Sequence, residues 1–432
     1  MKVLVVGSGG REHAIVDAIV RDKDVQVYCA PGNAGIAEQA EIVELKPNDV
    51  AGLFKFARDN KIDLTVVGSE QPLATGMVDA FQDRKKVIFG PRRLAARLET
   101  SKVFAKEFMK RWKIPTAMSK TFSSRDGEPL STYLSKSKYP LVLKADGLAA
   151  GKGVSIVDSL KQAKEEVEKF FVKKIFGEAG ERIVVEEFMF GVEASVFAVT
   201  DGTDYVVLPP AQDHKRIGDG DTGKNTGGMG SIAPTPFLDE TTMRKVREDI
   251  IEKVIRGTSE EGFPYSGCLY CGLMLTKDGP KVVEFNARFG DPETQTVLQL
   301  IDSSFLDLLY FASTKRMRSY RLKTNGAASV CVIAASKGYP DEYEKGKSIS
   351  GLEKHHAGIR VFHSGTTLAG GKYATNGGRV LGVTATDKGG KVSVAAQLAY
   401  ARVREIHFDG MYFRHDIGRN AIEFEKREKI NK

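Results

Sequence analysis

The chain has 432 residues, a length that predicts about three domains with buried cores of ordinary size. Apolar residues make up 41% of the sequence and charged residues 28%, which is typical of globular proteins and excludes a disordered or fibrous chain. The net charge is +8, but the basic residues are dispersed along the sequence. We therefore expect small anionic ligands and no nucleic-acid partner.

The sequence carries no signal for a membrane or an oxidising compartment. No window approaches the roughly 18 uncharged apolar residues of a membrane span, and the N-terminus leads from a strand-like run directly into a glycine-rich turn. The four cysteines are too few and too scattered for a disulfide framework, so we expect a cytoplasmic protein. Cys268 and Cys271 form a lone CxxC in an alternating apolar run, which favours a core strand over a zinc or redox site.

From residue 2 to about residue 97, short apolar runs alternate with amphipathic segments. The apolar runs are KVLVVG, QVYCA, DLTVVG and KVIFG. Helices are predicted near REHAIVDAIVR, VAGLFKFARDN and LATGMVDAFQDR. This alternation predicts a Rossmann-like, doubly wound parallel sheet over residues 1–100.

A second unit is predicted over residues 101–325. The helical linker RRLAARLETSKVFAKEFMKRW leads into it, and Ile114-Pro115 then breaks the helical pattern. The unit contains two strands joined by a glycine-rich turn in LVLKADGLAAGKGVSIV, a charged helix near LKQAKEEVEKFFVKKIF, and the strands RIVVEEFM and EASVFAVT. These segments predict a small α+β lid over about residues 120–190.

The remaining segments complete a multidomain protein of α/β and α+β class. HKRIGDGDTGKNTGGMG, between Gln212 and Gly230, is interpreted as a functional loop because it is too rich in glycine, aspartate and threonine for a regular element. CLYCGLMLT and KVVEFNARF are predicted to form a hairpin with its turn at Asp278-Gly279. Strand-rich segments and the helix VAAQLAYARVREI predict a C-terminal mixed α/β unit over residues 326–432.

The first glycine-rich segment, Gly7-Ser8-Gly9-Gly10, follows a strand and opens a helix. Such a turn predicts free backbone amides and a positive helix end for an anion. A dinucleotide fingerprint needs a third glycine where this chain has Glu12, so NAD is not expected. The segment fits two alternatives. One is a sugar phosphate held by Gly9, Gly10 and Arg11, and the other is a tight turn without a ligand.

The second phosphate-binding segment is predicted at Lys144 and the turn GLAAGKGV. Neither this turn nor GDGDTGKN is a Walker P-loop, since the first is one residue short and the second lacks the Ser or Thr that follows the lysine. Lys144 precedes the turn on a strand, so a backbone loop can cover phosphates while the ammonium group neutralises them.

A metal site is predicted on the strand of KVVEFNARF. Glu284 and Asn286 stand two residues apart and therefore point to one face, where two hard oxygen donors suit Mg²⁺. Arg288 extends from the same face and is suited to a carboxylate or an acyl phosphate. A solvent-exposed polar face is the alternative. The opposite, buried face is predicted to carry Val283, Phe285 and Ala287.

Several longer segments occur together in one order: GSGGREHA, PGNAG, SKVFAKEFM, KADGLAAGKGV, VVEEFM, QDHKRIGDGDTGKNTGGMG, EFNARFGDPETQ and TNGGRVLGVTA. On these segments the chain resembles the phosphoribosylamine–glycine ligase family of the ATP-grasp superfamily over nearly its whole length. The resemblance implies that ATP drives the joining of glycine to 5-phosphoribosylamine through glycyl phosphate, in de novo purine biosynthesis. It also implies a central ATP-grasp fold with a lid, and Mg²⁺ or Mn²⁺ as cofactor.

The resemblance further implies roles for individual residues. The nucleotide would be bound by Lys102, Lys144, Gly151, Lys152, Gly153, Glu186, Glu187, Phe188 and Glu193, with Glu186 to Phe188 at the adenine and Glu193 at the ribose. Glu284 and Asn286 would hold the metal. Asp213, Arg288 and Lys144 would be catalytic, the first two in the glycine site. Phosphoribosylamine would be bound by Gly10, Arg11, Glu12, Asn33 and Lys215.

Two other functions stay open at this point. One is an ATP-grasp ligase for another carboxylate or amine, against which the segments REHA, QDHKR and TGGMG argue. The other is a nucleotide-binding regulator without catalysis, which is expected to lack Glu284, Asn286 or Lys144, all of which are present. The expected partners are the small-molecule substrates glycine and 5-phosphoribosylamine, without nucleic acid or membrane, and the expected state is a monomer or a weak homo-oligomer.

Overall fold

A parallel sheet forms the N-terminal part of the computed structural model, which describes residues 1–148 and 153–430. Its elements are β1 (Lys2–Gly7), α1 (Gly10–Ile19), β2 (Gln26–Pro31), β3 (Glu41–Ile42), α2 (Val50–Asp59), β4 (Leu64–Val67), α3 (Glu70–Ala74), α4 (Met77–Gln82) and β5 (Ile88–Phe89). The strand order is β3-β2-β1-β4-β5, and all pairs are parallel. The central strands are apolar and buried, as expected for a sheet covered on both faces. The predicted Rossmann-like sheet is confirmed.

Two predicted helices of this region are each divided. The segment LATGMVDAFQDR forms α3 and α4, which are separated at Gly76, whose φ of 85° is in the left-handed region that glycine adopts most readily. The following linker divides into α5 (Arg97–Thr100) and α6 (Lys102–Arg111). Ser101 caps α6, and its hydroxyl oxygen accepts a hydrogen bond from the Phe104 amide at 3.1 Å.

The lid has a sheet and a core of its own. Its elements are β6 (Ser119–Ser123), α7 (Gly127–Lys136), β7 (Leu141–Ala145), β8 (Val154–Val157), α8 (Leu160–Phe171) and β9 (Arg182–Glu187). The antiparallel strand order is β6-β9-β7-β8. Leu143 and Val185 pack into the core with α7 and α8. Because side chains alternate along a strand, Lys144 and Glu186 point to the other face. The predicted α+β architecture is confirmed.

The middle of the chain contributes to three further sheets. Its elements are β10 (Val192–Thr200), β11 (Tyr205–Val207), β12 (Gln212–Asp213), β13 (Arg216–Gly218), β14 (Thr222–Asn225), β15 (Gly230–Ala233), α9 (Glu240–Val246), α10 (Glu252–Glu260), β16 (Gly267–Thr276), β17 (Gly279–Asn286), α11 (Glu293–Val297) and α12 (Phe305–Ser313). One sheet has the antiparallel order β11-β10-β16-β17. Cys268 and Cys271 are fully buried in β16, which confirms their interpretation as core residues.

The predicted buried face of β17 is wrong at one position. Val282, not Val283, lies in the core with Phe285 and Ala287. The register shifts from the pair Gly272 and Glu284 to the pair Leu273 and Val282, so Val283 is the extra residue of a β-bulge. The bulge leaves the carbonyl oxygen of Val283 accessible to Lys144, whose ammonium nitrogen lies 2.9 Å away.

The prediction that residues 212–230 have no regular structure is also wrong. β13 and β14 form a two-stranded hairpin with Gly220 and Asp221 in its turn, at φ values of 66° and 56°. Glycine and aspartate are among the residues that adopt this left-handed conformation most readily, so the composition that suggested a loop instead supports a tight turn.

The C-terminal sheet combines strands from two parts of the chain. The C-terminal elements are β18 (Ala328–Ala335), β19 (Ile359–His363), β20 (Thr366–Ala369), β21 (Lys372–Thr375), β22 (Arg379–Asp387), α13 (Val392–Val403) and α14 (Arg419–Ile430). The sheet order is β12-β15-β18-β22-β19, so β12 and β15 extend it from the middle of the chain. The predicted mixed α/β architecture is confirmed. Within the described residues, no helix is long and apolar enough to cross a membrane.

Candidate active site

Two lysines and a glutamate form a buried group on the inner face of the lid sheet. Lys144 is 4% exposed, and its ammonium nitrogen lies 3.1 Å from Oε2 of Glu186. Lys106 of α6 lies 3.1 Å from the same oxygen. The other oxygen of Glu186, Oε1, is buried and has no hydrogen-bond partner among the described residues. A buried acceptor without a donor is unfavourable, so this oxygen is suited to an N–H group of a ligand.

The other predicted nucleotide residues have contacts of their own. Lys102 begins α6, and its ammonium group lies 3.4 Å from the carbonyl oxygen of Glu99. Glu187 accepts a hydrogen bond from the Met118 amide at 3.0 Å, and Phe188 packs edge-on against Phe190. The carbonyl of Gly153 accepts a bond from the Ala145 amide at 2.8 Å. Gly151 and Lys152 lie outside the described residues.

Glu284 faces a cluster of cations. Burial alone would raise the pKa of its carboxyl, but Lys215, Lys102 and Lys144 lower that pKa to about 2. Glu284 is therefore ionised at any physiological pH. Asn286 follows it on the same face of β17 and is 8% exposed. A carboxylate and an amide oxygen are hard donors, so these two residues fit a divalent cation whose other ligands come from phosphate and water.

Arg288 is held between two carboxylates. Its guanidinium lies 3.1 Å from Oε1 of Glu99 and 3.3 Å from Oε2 of Glu70. Glu99 also accepts a hydrogen bond from the Ala287 amide at 2.7 Å. Burial raises the pKa of Glu99, and the positive charge of Arg288 opposes that rise. Arg288 is thus fixed in orientation next to the predicted metal ligands.

Asp213 lies in a second buried polar group. Burial, and then the charge of Glu293, raise the pKa of Asp213 well above its usual value. Its Oδ1 atom is buried and without a partner in the described part of the chain. Glu293 is held by the hydroxyl groups of Ser195 and Tyr270, at 3.0 and 2.9 Å. The carboxyl group of Asp213 is therefore suited to a ligand that brings a positive charge.

Lys215 lies next to Glu193, one of the predicted nucleotide residues. Its ammonium group is 3.1 Å from Glu193, and Glu193, Tyr270 and Glu284 raise its pKa well above its usual value despite the opposing effect of burial. No hydrogen bond or ion pair of the described residues joins Lys215 to Gly10, Arg11, Glu12 or Asn33. The predicted substrate residues therefore form two separate groups.

The predicted substrate residues near the N-terminus do not form the anion site that the sequence predicts. The Gly9 amide is not free, because it donates a hydrogen bond to Oε2 of Glu12 at 2.6 Å. Oε1 of Glu12 accepts a bond from Arg11 at 2.7 Å. Asn33 donates hydrogen bonds to the carbonyl oxygens of Ser8 and His363, at 2.8 and 2.7 Å. The carboxylate of Glu12 thus occupies the glycine-rich turn. The spacing of the glycines in the sequence does not predict this arrangement.

Sequence reasoning did not identify several residues of the site. Lys106, Glu99, Glu293 and Arg379 were missed. Arg379 of β22 pairs with Asp291 at 2.8 Å and also donates a hydrogen bond to the carbonyl oxygen of Gly227. Lys106 lies within the segment SKVFAKEFM, and Glu99 lies two residues before that segment. Their partners are distant in the sequence, and no local pattern points to them.

Comparisons with known proteins agree with this architecture. The biotin carboxylase domain of Hydrogenobacter thermophilus 2-oxoglutarate carboxylase matches with a TM-score of 0.73 at 16% identity, over 95% of this chain and 91% of that one. At this identity the match shows the fold alone. An ATP-grasp domain model matches residues 100–294. The fold and the lysine- and carboxylate-lined site define the chain as an ATP-grasp enzyme, a class that uses ATP and a divalent cation.

The family follows from matches over the whole chain. The phosphoribosylglycinamide synthetase models match residues 1–99 (N domain), 100–294 (ATP-grasp domain) and 329–420 (C domain). Phosphoribosylamine–glycine ligase from Caldanaerobacter subterraneus subsp. tengcongensis is 47% identical, over 96% of this chain and 99% of that protein. The crystal structure of phosphoribosylamine–glycine ligase from Thermotoga maritima matches with a TM-score of 0.83 at 34% identity, over 96% of this chain and 100% of that chain.

The chain therefore belongs to the phosphoribosylglycinamide synthetase family, and it is an ATP-dependent ligase. The family's reaction joins glycine to 5-phosphoribosylamine in purine biosynthesis.

Proposed function

We propose that this chain forms glycinamide ribonucleotide from glycine, 5-phosphoribosylamine and ATP through glycyl phosphate, and releases ADP and phosphate. The observation that carries the proposal is the match of the family over nearly the whole chain, at 47% identity to one ligase. The proposed setting is the cytoplasm, and the proposed state is a monomer or weak homo-oligomer without nucleic-acid or membrane partners. The proposed units are residues 1–100, 101–325 with a lid over about 120–190, and 326–432.

Glu284 and Asn286 are proposed to hold the divalent cation, either Mg²⁺ or Mn²⁺. The low pKa of Glu284 and the amide oxygen of Asn286 support this assignment. When bound, the cation would neutralise charge on the phosphate groups of ATP. The residues of the chain do the rest: Glu284 stays ionised, and Lys215, Lys102 and Lys144 surround it with positive charge.

Lys102 and Lys144 are proposed to bind the phosphates of ATP, with Gly151, Lys152 and Gly153 in the covering loop. Glu186 to Phe188 are proposed to bind adenine, and Glu193 the ribose. The unpartnered Oε1 atom of Glu186 supports the adenine assignment, because adenine carries an exocyclic amino group that donates hydrogen bonds. Glu193 is supported by its exposure of 45%, which leaves its carboxylate accessible to hydroxyl groups.

Glycine is proposed to bind between Asp213 and Arg288. Glycine is a zwitterion, so it needs one negative and one positive partner. The unpartnered carboxyl of Asp213 matches the ammonium group, and the fixed guanidinium of Arg288 matches the carboxylate that is phosphorylated. Fixing the carboxylate near the cation and Lys144 would bring the reacting groups together, which is the main contribution of a protein to such a transfer.

Phosphoribosylamine is proposed to bind at Gly10, Arg11, Glu12 and Asn33, and Lys215 is proposed as a further contact. The closeness of Asn33 to both Ser8 and His363 supports a substrate site between the N-terminal and C-terminal parts of the chain. The amine of the substrate would then displace phosphate from glycyl phosphate, and this step requires no covalent enzyme nucleophile.

The test is ADP release from ATP and Mg²⁺ with freshly made phosphoribosylamine and glycine, each omitted in turn, with the product identified by mass. We expect release to require both substrates and the product to be glycinamide ribonucleotide. Release with a different carboxylate would refute the substrate assignment. ATP binding without any turnover would indicate the regulatory alternative.

A further inference from the structure

The proposed mechanism leaves one buried charged residue of the nucleotide site without a role. Lys106 lies on α6 and is 8% exposed. Its ammonium nitrogen lies 3.1 Å from Oε2 of Glu186 and donates a hydrogen bond to the hydroxyl of Thr116 at 2.8 Å. A lysine is almost never buried without a specific partner, and here that partner is the carboxylate proposed to face adenine.

The two oxygens of Glu186 have different surroundings. Oε2 is shared by Lys106 and Lys144, each at 3.1 Å. Oε1 is buried and lacks any partner within the described ranges. Both lysines are donors only, so they hold Oε2 as an acceptor. Glu186 thus has one oxygen held by two cations and one oxygen left to accept a further hydrogen bond.

Lys106 and Lys144 do not contribute equally once a nucleotide is bound. Lys144 is proposed to contact phosphates, so its positive charge is then shared with a strongly negative group. Lys106 is on α6, and its other contacts are neutral oxygens of Thr116 and Ala117, at 2.8 and 3.5 Å. Lys106 is thus the cation that remains available to hold Oε2 of Glu186.

We infer that Lys106 is a positioning residue that sets the base selectivity of the nucleotide site. By holding Oε2 of Glu186, it keeps Oε1 directed as an acceptor for the amino N–H of adenine, and this carboxylate oxygen repels the carbonyl oxygen that hypoxanthine carries at the same ring position. This inference rests on the proposed contact between Glu186 and adenine.

The charge state of Lys106 is consistent with this role. Burial lowers the pKa of Lys106 to about 8, while Glu186 raises it and Lys144 lowers it further. Lys106 is therefore mostly protonated at neutral pH. A neutral side chain at this position would leave Oε2 of Glu186 with Lys144 as its cationic partner among the described residues, so the carboxylate would be held less firmly.

The test compares ATP with ITP, whose base differs in having a carbonyl in place of the amino group. The ratio of kcat/KM for ATP to that for ITP is measured in the full-length protein with saturating glycine and phosphoribosylamine. We expect the wild type to favour ATP by about a hundredfold or more, and Lys106→Met to lower this ratio by at least about tenfold. Lys110→Met, an exposed lysine on the same helix, is the matched control and keeps the wild-type ratio.

Two further variants make every outcome decisive. Lys106→Gln removes the charge but keeps a donor for Thr116, and it replaces Lys106→Met if that variant does not fold. Glu186→Gln, which both donates and accepts, is expected to lower the ratio as well. A lowered ratio in Glu186→Gln with an unchanged ratio in both Lys106 variants would overturn this inference alone. An unchanged ratio in Glu186→Gln would instead refute the proposed contact with adenine.

Discussion

Glu284 is the residue whose surroundings most directly serve a cation. Three lysines lower the pKa of its carboxyl to about 2 against the effect of burial, so the group carries its full charge throughout the neutral range. We expect Glu284→Gln, which keeps the shape but removes the charge, to reduce turnover by more than about a hundredfold. The measurement is the rate of ADP release as a function of Mg²⁺ concentration, together with thermal unfolding.

The matched control is Asp278→Asn on the same hairpin, which removes an exposed carboxylate and should leave the rate unchanged. Because Glu284 titrates only near pH 2, the variant should not change the pH at which activity is half-maximal on the acid side. A Glu284→Gln enzyme with near-normal activity and normal Mg²⁺ dependence would refute the metal assignment.

Glu99 fixes the position of Arg288 from a distant part of the chain. It accepts a hydrogen bond from the Ala287 amide at 2.7 Å and pairs with Arg288 at 3.1 Å. In Glu99→Gln, the side-chain amide oxygen can still accept one hydrogen bond. The negative charge that balances the guanidinium of Arg288 is lost. We expect kcat/KM for glycine to fall by about tenfold to a hundredfold, mainly through misplacement of Arg288. Steady-state kinetics with glycine as the varied substrate measure this effect.

Glu70→Gln provides the contrast to Glu99→Gln. The side chain of Glu70 is 31% exposed, whereas that of Glu99 is 3% exposed, so water can replace more of the lost interaction at Glu70. We therefore expect the smaller effect at Glu70. Equal effects of the two substitutions would contradict a special positioning role for Glu99.

The residues of the site were predictable to different extents for a physical reason. Glu284 and Asn286 share a strand face, and the alternation of a strand is a local property that the sequence displays. Glu99 and Ala287 are 188 positions apart, and their contact exists only because α5 packs against β17. Lys106 likewise meets Glu186 only after the lid sheet has formed. Pairings of this kind depend on the tertiary fold.

At the scale of elements, the β13–β14 hairpin depends on an arginine of the C-terminal unit. Arg414 has a side chain that is 1% exposed, and it binds Asp221 at 2.8 Å, Asp416 at 2.8 Å and the carbonyl oxygen of Arg216 at 3.0 Å. Burial would raise the pKa of Asp416, but Arg414 and the Gly220 amide lower it to about 2. The hairpin that follows Asp213 and Lys215 is therefore anchored at its tip.

We expect Arg414→Met to lower the free energy of unfolding by about 2 kcal/mol, because it leaves two carboxylates unpaired, one of them exposed enough to be partly solvated. Amide hydrogen exchange in β13 and β14 should become faster, and KM for glycine should rise. Arg427→Met on α14 removes an exposed arginine and is the control. Unchanged exchange in the hairpin would contradict the anchoring role of Arg414.

Elements were predicted well where one chemical pattern determines them. The alternating apolar runs of the N-terminal sheet and the β16–β17 hairpin are such cases. The β-bulge at Val283 was not predictable, because it arises from a register shift between two strands of similar sequence pattern. The β13–β14 hairpin was missed because its strands have few apolar residues and are held by Arg414 and Asp416 rather than by a core of their own.

At the scale of the whole molecule, two buried histidines join the first and last parts of the chain. The backbone amide of His363 donates a hydrogen bond to Nδ1 of His13 at 2.8 Å, so this nitrogen must be unprotonated. The same region contains the bond from Asn33 to the carbonyl oxygen of His363 and an ion pair of Asp17 with Arg360 at 3.4 Å. Protonation of His13 would remove a bond that connects α1 to β19.

We expect this contact to make stability depend on pH in a defined window. Burial lowers the pKa of both His13 and His363 from 6.5 to about 4, so the unfolded chain binds more protons than the folded chain between these values. Stability therefore rises with pH across this window and is lost as the pH falls from about 6.5 to 4, by about 3 kcal/mol for each histidine. Thermal unfolding from pH 7.5 to 4.5 measures the effect.

The comparison with variants separates the histidines from the many carboxylates that also titrate in acid. In His13→Gln, the amide oxygen still accepts the bond from the His363 amide but takes up no proton, so Tm should fall less steeply below pH 6.5 than in the wild type. His355→Gln changes an exposed histidine and should keep the wild-type slope. Identical slopes in His13→Gln and the wild type would mean that acid destabilises the molecule through other groups. The contact between α1 and β19 would then not depend on a neutral His13.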